Sequence, residues 1–225
     1  MSYQRGNILF YVLIGIVLVG LLTVALRNTG NMKDNIDSEN LVIRAGEVQR
    51  HAGEVEKAIS ILISNHVSES DIRFAHPDAP AEYGTITTNP TFQVFSETGG
   101  MATYKLPPEG VNDGSKWEFF GTSDIPEVGS DQSELIAVLP NVTQEFCKVI
   151  NAQLGFTATT QPLDESSGAS PDCVQGAAVN RFAGTFDTTP NTLDKTTFSV
   201  LPAYQGCVKC ATDNSYNYFH VLLAR

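Results

Sequence analysis

The four cysteines are the residues of this sequence whose type and spacing could support chemistry. Cys207 and Cys210 form a Cys-Val-Lys-Cys motif, and Cys147 and Cys173 precede them at longer intervals. A zinc site usually needs two such close pairs, and a thioredoxin-like site needs a helix directly after its motif. Here the single close pair is followed by Ala-Thr-Asp-Asn-Ser, which is typical of a turn. The pattern favours structural disulfides in an oxidising compartment, with no metal and no cofactor.

The sequence does not determine which cysteines pair, because four cysteines allow three pairings. Short loops close at the smallest entropic cost. We therefore favour the pairing of Cys147 with Cys173 and of Cys207 with Cys210, since each closes a local loop.

The histidines do not extend the cysteines into a ligand set. His51 has Glu47 and Glu54 on the same side of a predicted helix, which a solvated charged face explains. The sequence contains no phosphate loop and no nucleophile elbow. We therefore predict that the protein is not an enzyme, and a thiol enzyme acting through Cys207 and Cys210 is the least favoured alternative. The four histidines are His51, His66, His76 and His220.

The charge balance restricts the partners. The 225 residues include 14 Lys and Arg against 25 Asp and Glu, a formal net charge of -11. A chain this acidic is repelled by the phosphates of nucleic acid and by anionic lipid head groups. We therefore expect no nucleic-acid partner.

A continuous apolar segment indicates a membrane anchor. Ile8 to Leu26 is 19 residues long, contains no charge and no proline, and has Arg5 and Arg27 just beyond its ends. This length matches a bilayer core about 30 Å thick. A cleaved secretory signal would have a shorter apolar run, and a buried core helix would have a polar face. We predict a transmembrane helix over 8–26, with membrane lipid as its partner.

The anchor divides the chain into four parts. Residues 1–7 form a short cytoplasmic tail or leader, 27–40 is a polar hinge, and 41–225 is the segment that can fold. Only two basic residues precede position 28, and all acidic residues follow it. We expect a single-pass membrane protein, with the short N-terminal tail inside and the acidic segment 41–225 outside.

The segment 41–225 is predicted to be an α+β domain. Apolar residues at steps of 3 and 4 predict an amphipathic helix from Leu41 to Val67, which packs on the chain's own sheet or on a partner helix. A second helix is predicted from Thr143 to Leu154, with Asn141 or Thr143 as its cap. Turn signals separate eight short predicted strands: Gly84–Thr88, Thr91–Ser96, Ala102–Leu106, Lys116–Phe120, Glu134–Leu139, Ala178–Asp187, Thr196–Leu201 and Tyr216–Leu223. Short connections make an antiparallel sheet the expected arrangement.

Several motifs resemble one family. The opening Gln-Arg-Gly-Asn-Ile-Leu-Phe at positions 4–10 leads into an uncharged helix. Later motifs are Glu-Leu-Ile-Ala-Val-Leu-Pro at 134–140, Glu-Phe-Cys at 145–147 and Tyr-Asn-Tyr-Phe-His-Val-Leu-Leu-Ala-Arg at 216–225. Together they resemble type IV pilin-like and pseudopilin-like membrane proteins, more narrowly those of alphaproteobacteria.

The resemblance implies a processing site and a structural role. A prepilin peptidase would cut after Gly6 and leave Asn7 as the new N-terminus, and pilins usually have Glu at the fifth mature position, where this chain has Tyr11. The expected function is that of a minor pilin or pseudopilin in a filament or secretion apparatus, which contacts other pilin-like subunits through its N-terminal helix. The alternative is a membrane-tethered binding or adhesion module whose acidic surface meets a cationic or metal-bearing partner.

Overall fold

A computed structural model describes residues 12–19, 30–156, 162–164 and 173–225. The chain divides into two units, Met1–Asn40 and Leu41–Arg225. In the first unit, residues 12–19 are helical and their side chains are exposed. The remainder of the predicted anchor, including Ile8 and Leu26, lies outside the described residues, as do Gly6 and Asn7.

The first long helix, α1, spans Gly30–Ser64, so it begins inside the segment predicted as a hinge. Its side chains are described from Glu39 onward. The predicted apolar stripe is buried, which confirms that this part of the helix packs on its own chain. The stripe comprises Val48, Ala52, Val55, Ile59 and Leu62, with Ala45 and Ala58 beside it.

The domain is α+β, as predicted, and the six strands among its described residues form one sheet. The order across the sheet is β3-β5-β6-β2-β1-β4. The strands are β1 Glu118–Asp124, β2 Glu134–Leu139, β3 Leu163–Asp164, β4 Asn191–Thr192, β5 Gln205–Cys210 and β6 Tyr216–Leu223.

The sheet is mixed and not purely antiparallel. The four central strands pair antiparallel, whereas the two-residue edge strands β3 and β4 pair parallel to β5 and β1. Both edge strands lie in long irregular connections. A connection of that length allows a strand to pair parallel to its neighbour, whereas a short hairpin allows only antiparallel pairing. The expectation of an antiparallel sheet therefore holds only for the central four strands.

The strand predictions had mixed outcomes. The predictions for β2 and β6 match the structure, and that for Lys116–Phe120 overlaps β1. β5 was missed. The other five predicted strands are wrong, because these segments form turns, short 3₁₀ helices, isolated bridges or irregular structure: Gly84–Thr88, Thr91–Ser96, Ala102–Leu106, Ala178–Asp187 and Thr196–Leu201.

The second helix, α2, spans Gln144–Gln153 and was predicted to within a residue. The Thr143 hydroxyl accepts a hydrogen bond from the backbone N–H of Phe146 at 3.2 Å, which caps the helix. Gly155 follows the helix with a φ of 84°, a left-handed conformation that favours glycine.

Alternating residues of the strands divide the core between two faces of the sheet. On the helix-covered face, α1 and α2 pack on strand residues Phe119, Leu135, Ala137, Leu139, Cys207, Tyr218 and Leu222. On the loop-covered face, side chains from irregular segments pack on strand residues Phe120, Ile136, Val138, Val208, Phe219 and Val221.

Candidate functional site

The cysteines form two disulfides with a connectivity that differs from the favoured one. Cys147 pairs with Cys207, and Cys173 pairs with Cys210. The prediction of disulfides is confirmed, but the local pairing is wrong. Cys207 and Cys210 lie three residues apart in β5, and an odd spacing along a strand directs side chains to opposite faces of a sheet. The two therefore bond to different parts of the chain.

The bridge on the helix-covered face connects α2 to β5. Both Cys147 and Cys207 are fully buried. Asn151, one turn further along α2, strengthens the connection: its side-chain amide donates to the Cys207 carbonyl and accepts from the Cys207 N–H, both at 2.8 Å. These bonds satisfy backbone groups of β5 in the way that a neighbouring strand would.

The bridge on the other face joins Cys210, at the end of β5, to the segment that begins at Cys173. Asp213 follows in the turn between β5 and β6, and its Oδ1 accepts from the Ser215 N–H at 2.8 Å. This bond and that from the Ser215 hydroxyl hold the pKa of the Asp213 carboxyl below its usual value. The Sγ atoms of both cysteines and a carboxylate oxygen of Asp213 all lie within 4.8 Å of one another.

His51 is buried, so its placement on a solvated charged face was wrong. Only 3% of the residue is exposed, and neither ring nitrogen has a hydrogen-bond partner among the described residues. The ring contacts Trp117 edge-on, with centroids 5.3 Å apart. Burial, followed by the positive charge of Lys105, lowers the pKa of His51 to about 4, while Glu54 acts in the opposite direction. The imidazole is therefore neutral at physiological pH.

A cleft of about 250 Å³ lies beside His51, between α1 and the segment 105–117. Its walls include Arg50, Lys105 and Trp117. The Lys105 ammonium pairs with Glu54 at 2.5 Å at the edge of this region. His51 thus lies where a polar cleft meets the aromatic core.

The other histidines lie apart from the cysteines. His220, on β6, is hydrogen-bonded through Nε2 to the Glu56 carboxylate of α1 at 2.7 Å. His76 accepts a hydrogen bond from the Asp78 N–H through Nδ1 at 3.1 Å. His66 is exposed just beyond the end of α1.

Glu134 is a second buried ionisable group, and nothing in the sequence singled it out. Its side chain is fully buried at the start of β2, and Oε2 accepts from the Ile125 N–H at 2.8 Å. Burial raises the pKa of Glu134 to about 7, with the charge of Asp124 adding to the shift and the Ile125 bond opposing it. The carboxyl therefore binds its proton far more tightly than an exposed glutamate does.

A larger cleft of about 740 Å³ lies next to Glu134, between residues 124–131 and 192–196. Four carboxylates line it, those of Asp124, Glu127, Asp131 and Asp194, together with Lys195, which pairs with Glu127 at 3.4 Å. Burial and the neighbouring Asp131 raise the pKa of Asp124 above its usual value. The cleft thus concentrates negative charge on one side of the domain.

The remaining predicted site concerns the anchor. None of the helices within 12–19, 30–156, 162–164 and 173–225 combines the length and the apolar character needed to cross a bilayer. The predicted cleavage site at Gly6 and Asn7 and the ends of the anchor at Ile8 and Leu26 fall outside these ranges.

Comparisons with known proteins do not connect the chain to a family. A scan against protein-family models, a search of curated proteins and a search of solved structures each returned no match. The pilin-like resemblance therefore remains a prediction from the motifs in the sequence.

Proposed function

We propose that the chain is a membrane-anchored structural or assembly subunit of the minor pilin or pseudopilin type. Ile8–Leu26 would lie in the bilayer of a bacterial inner membrane, and residues 41–225 would face the periplasm or the exterior. The observation that carries the proposal is the composition of the domain core. Its buried apolar residues, within the described part of the chain, begin at Ala45.

This composition supports an anchor because the described core of residues 41–225 is built from apolar side chains of that unit. The α1 stripe, α2 and the loops cover both faces of the sheet. In the first unit, the side chains of residues 12–19 are exposed, with Ile16 at 68%. Exposed apolar side chains of a helix are stabilised by lipid or by the apolar helices of other subunits.

The two disulfides support an extracytoplasmic location for the domain. Disulfides persist in the periplasm and at cell surfaces, whereas the cytosol keeps thiols reduced. The Cys147–Cys207 bridge lies in the centre of the helix-covered core. A domain built around such a bridge would fold best in an oxidising compartment.

Fractionation and N-terminal sequencing test the proposal together. We expect the full chain to remain in the membrane after a high-salt wash and to be released by detergent. If a prepilin peptidase processes it, the mature chain starts at Asn7, and Gly6→Leu abolishes cleavage whereas the control Gly15→Ala does not. An intact Met1 on membrane-bound protein removes the processing claim. Full-length protein that is soluble without detergent contradicts the anchor itself.

The acidic cleft beside Glu134 favours a second candidate function, that of a membrane-tethered binding module for a cationic partner. Four carboxylates around one cleft create a local negative potential that attracts positive charge. Under this alternative, detergent-solubilised full chain stays monomeric and binds a cationic peptide, and Asp124→Asn with Asp131→Asn weakens binding. Filaments or higher oligomers in the same preparation favour the pilin-like role.

A further inference from the structure

Three metal-ligating side chains converge at the end of β5. The Sγ atoms of Cys173 and Cys210 and a carboxylate oxygen of Asp213 lie within 4.8 Å of one another. Within the described residues, no other group of three or more His, Cys, Asp or Glu side chains converges in this way. The Cα atoms of the two cysteines are 5.4 Å apart, so both thiolates could reach a single ion at the usual zinc–sulfur distance of about 2.3 Å.

Asp213 is oriented before any ion arrives. Its Oδ1 accepts the Ser215 N–H at 2.8 Å, in the turn that connects β5 to β6. A carboxylate has several acceptor positions, so the Ser215 bond leaves capacity for a metal.

The two disulfides differ in their access to a reductant. Cys147, Cys207 and Cys210 are fully buried, whereas 9% of Cys173 is exposed. Thiol–disulfide exchange requires the attacking thiolate to reach a sulfur atom. The Cys173–Cys210 bridge is therefore the one that a dithiol attacks first.

We propose that Cys173, Cys210 and Asp213 form a Zn²⁺ site, which becomes able to bind the ion when a dithiol reduces the Cys173–Cys210 disulfide. The dithiol supplies two electrons and two protons and becomes a disulfide, which leaves two protein thiols. Zn²⁺ then displaces the two thiol protons and forms two Zn–S bonds. The Asp213 carboxylate supplies a third ligand and water a fourth. The thiolate pair selects Zn²⁺ over Ca²⁺ and Mg²⁺, which prefer oxygen ligands alone.

The sequence alone does not indicate this site, because Cys173 and Cys210 are not the close pair of the Cys-Val-Lys-Cys motif. The Cys-Val-Lys-Cys motif contributes only Cys210, since Cys207 points to the other face of the sheet. Cys173 comes from a distant segment, 37 residues earlier.

Cobalt binding to the detergent-solubilised full chain tests the proposal. The protein is treated with dithiothreitol without denaturant, the reductant is removed without oxygen, and Co²⁺ is added, followed by competition with Zn²⁺. We expect one Co²⁺ per chain with a thiolate-to-cobalt charge-transfer absorption that Zn²⁺ abolishes and Ca²⁺ does not. Mass spectrometry should find Cys173 and Cys210 reduced while Cys147 and Cys207 remain bonded.

Two aspartate variants separate the site from non-specific binding. Asp213→Asn should weaken Co²⁺ affinity about tenfold or more, because it removes a ligand. Asp113→Asn is the matched control, since Asp113 accepts the Ser115 N–H at 2.9 Å in the same kind of turn. Its Co²⁺ affinity should be unchanged. Unchanged affinity in Asp213→Asn, absence of the charge-transfer absorption, or absorption that survives in Cys173→Ser would each overturn the proposal.

Discussion

The two faces of the sheet are covered by different kinds of structure. On the helix-covered face, α1 and α2 present apolar stripes to the strands, and side chains of the irregular segment between α1 and β1 complete the cover, such as Phe74, which stacks on Phe119. On the loop-covered face, the cover consists of single side chains from irregular segments, among them Ile125, Phe156 and Phe198. Each face has one disulfide and a buried ionisable group with a shifted pKa nearby, His51 beside the helices and Glu134 beside the loops.

This difference shows that a regular cover and an irregular cover stabilise a sheet by different means. A helix stripe buries apolar area through a repeat that also appears in the sequence. The irregular cover depends on a disulfide, on side-chain bonds such as that from Ile125 to Glu134, and on long-range pairing. The two buried ionisable groups make the comparison measurable, because the pKa of His51 is lowered and that of Glu134 is raised.

Removing a disulfide is expected to have the largest effect. The bridges span 60 and 37 residues, and the chain-entropy argument assigns about 4 kcal/mol to each, with a difference below about 0.5 kcal/mol. We expect Cys147→Ala with Cys207→Ala to lower the free energy of unfolding more than Cys173→Ala with Cys210→Ala. The first pair also leaves a cavity in the helix-covered core. Urea unfolding of both double variants measures the difference, and equal losses would show that loop entropy alone matters.

Replacing His51 should remove a loss of stability in acid. The folded-state pKa of His51 is about 4, against 6.5 for the unfolded chain. As the pH falls from 6.5 to 4, the unfolded state binds a proton that the folded state does not, so stability decreases by up to about 3 kcal/mol. His51→Phe should flatten this part of the pH profile, whereas His66→Asn, at an exposed histidine, should not. Identical acid profiles for wild type and His51→Phe would contradict the neutral, buried imidazole.

Replacing Glu134 should reveal the opposite dependence on pH. The pKa of Glu134 is about 7 in the folded state, against 4.5 in the unfolded chain. The folded state therefore keeps a proton that the unfolded chain has released, and stability is lost as the pH rises from 4.5 through 7, by up to about 3 kcal/mol. Glu134→Gln keeps an acceptor for the Ile125 N–H and should be more stable than wild type above pH 7. Glu127→Gln, at an exposed position in the loop that precedes β2, serves as the control. A Glu134→Gln profile parallel to wild type refutes the shift.

The smallest expected effect concerns the ion pair of Lys105 and Glu54 at the solvent-exposed edge of the helix-covered face. Lys105 pairs with Glu54 at 2.5 Å, but both side chains are more than one-third exposed. Lys105→Met should therefore lower the free energy of unfolding by at most about 1 kcal/mol, and less in high salt. Thermal unfolding at two salt concentrations checks this value. A loss of unfolding free energy as large as that from a disulfide would mean that this ion pair, and not the buried core, is the main stabilising element of the face.

The helix-covered face was the more predictable one. The stripe of α1, the cap of α2 and the strands β2 and β6 follow from local periodicity and turn chemistry. The spacing of His51 also indicates that it is buried, because His51 lies three residues after Val48 and four before Val55. A histidine at that spacing shares the buried stripe.

The loop-covered face depends on contacts that no local pattern encodes. β5 was missed because Cys-Val-Lys-Cys was interpreted as a local loop, although its odd spacing also fits a strand. Segments such as Thr91–Ser96 have the composition of strands but pack as turns, since tertiary context overrides β-propensity. The burial of Glu134 depends on a loop closing over the start of β2, which the sequence of β2 alone does not specify.

Disulfide mapping of full-length protein taken from bacterial membranes tests the account most directly. Non-reducing digestion and mass spectrometry should recover peptides that join Cys147 to Cys207 and Cys173 to Cys210, from protein that needs detergent for release. This result would place an oxidised domain of the described fold beyond the cytoplasm. Four free thiols would contradict the compartment, and a bond between Cys207 and Cys210 would contradict the position of β5 in the sheet.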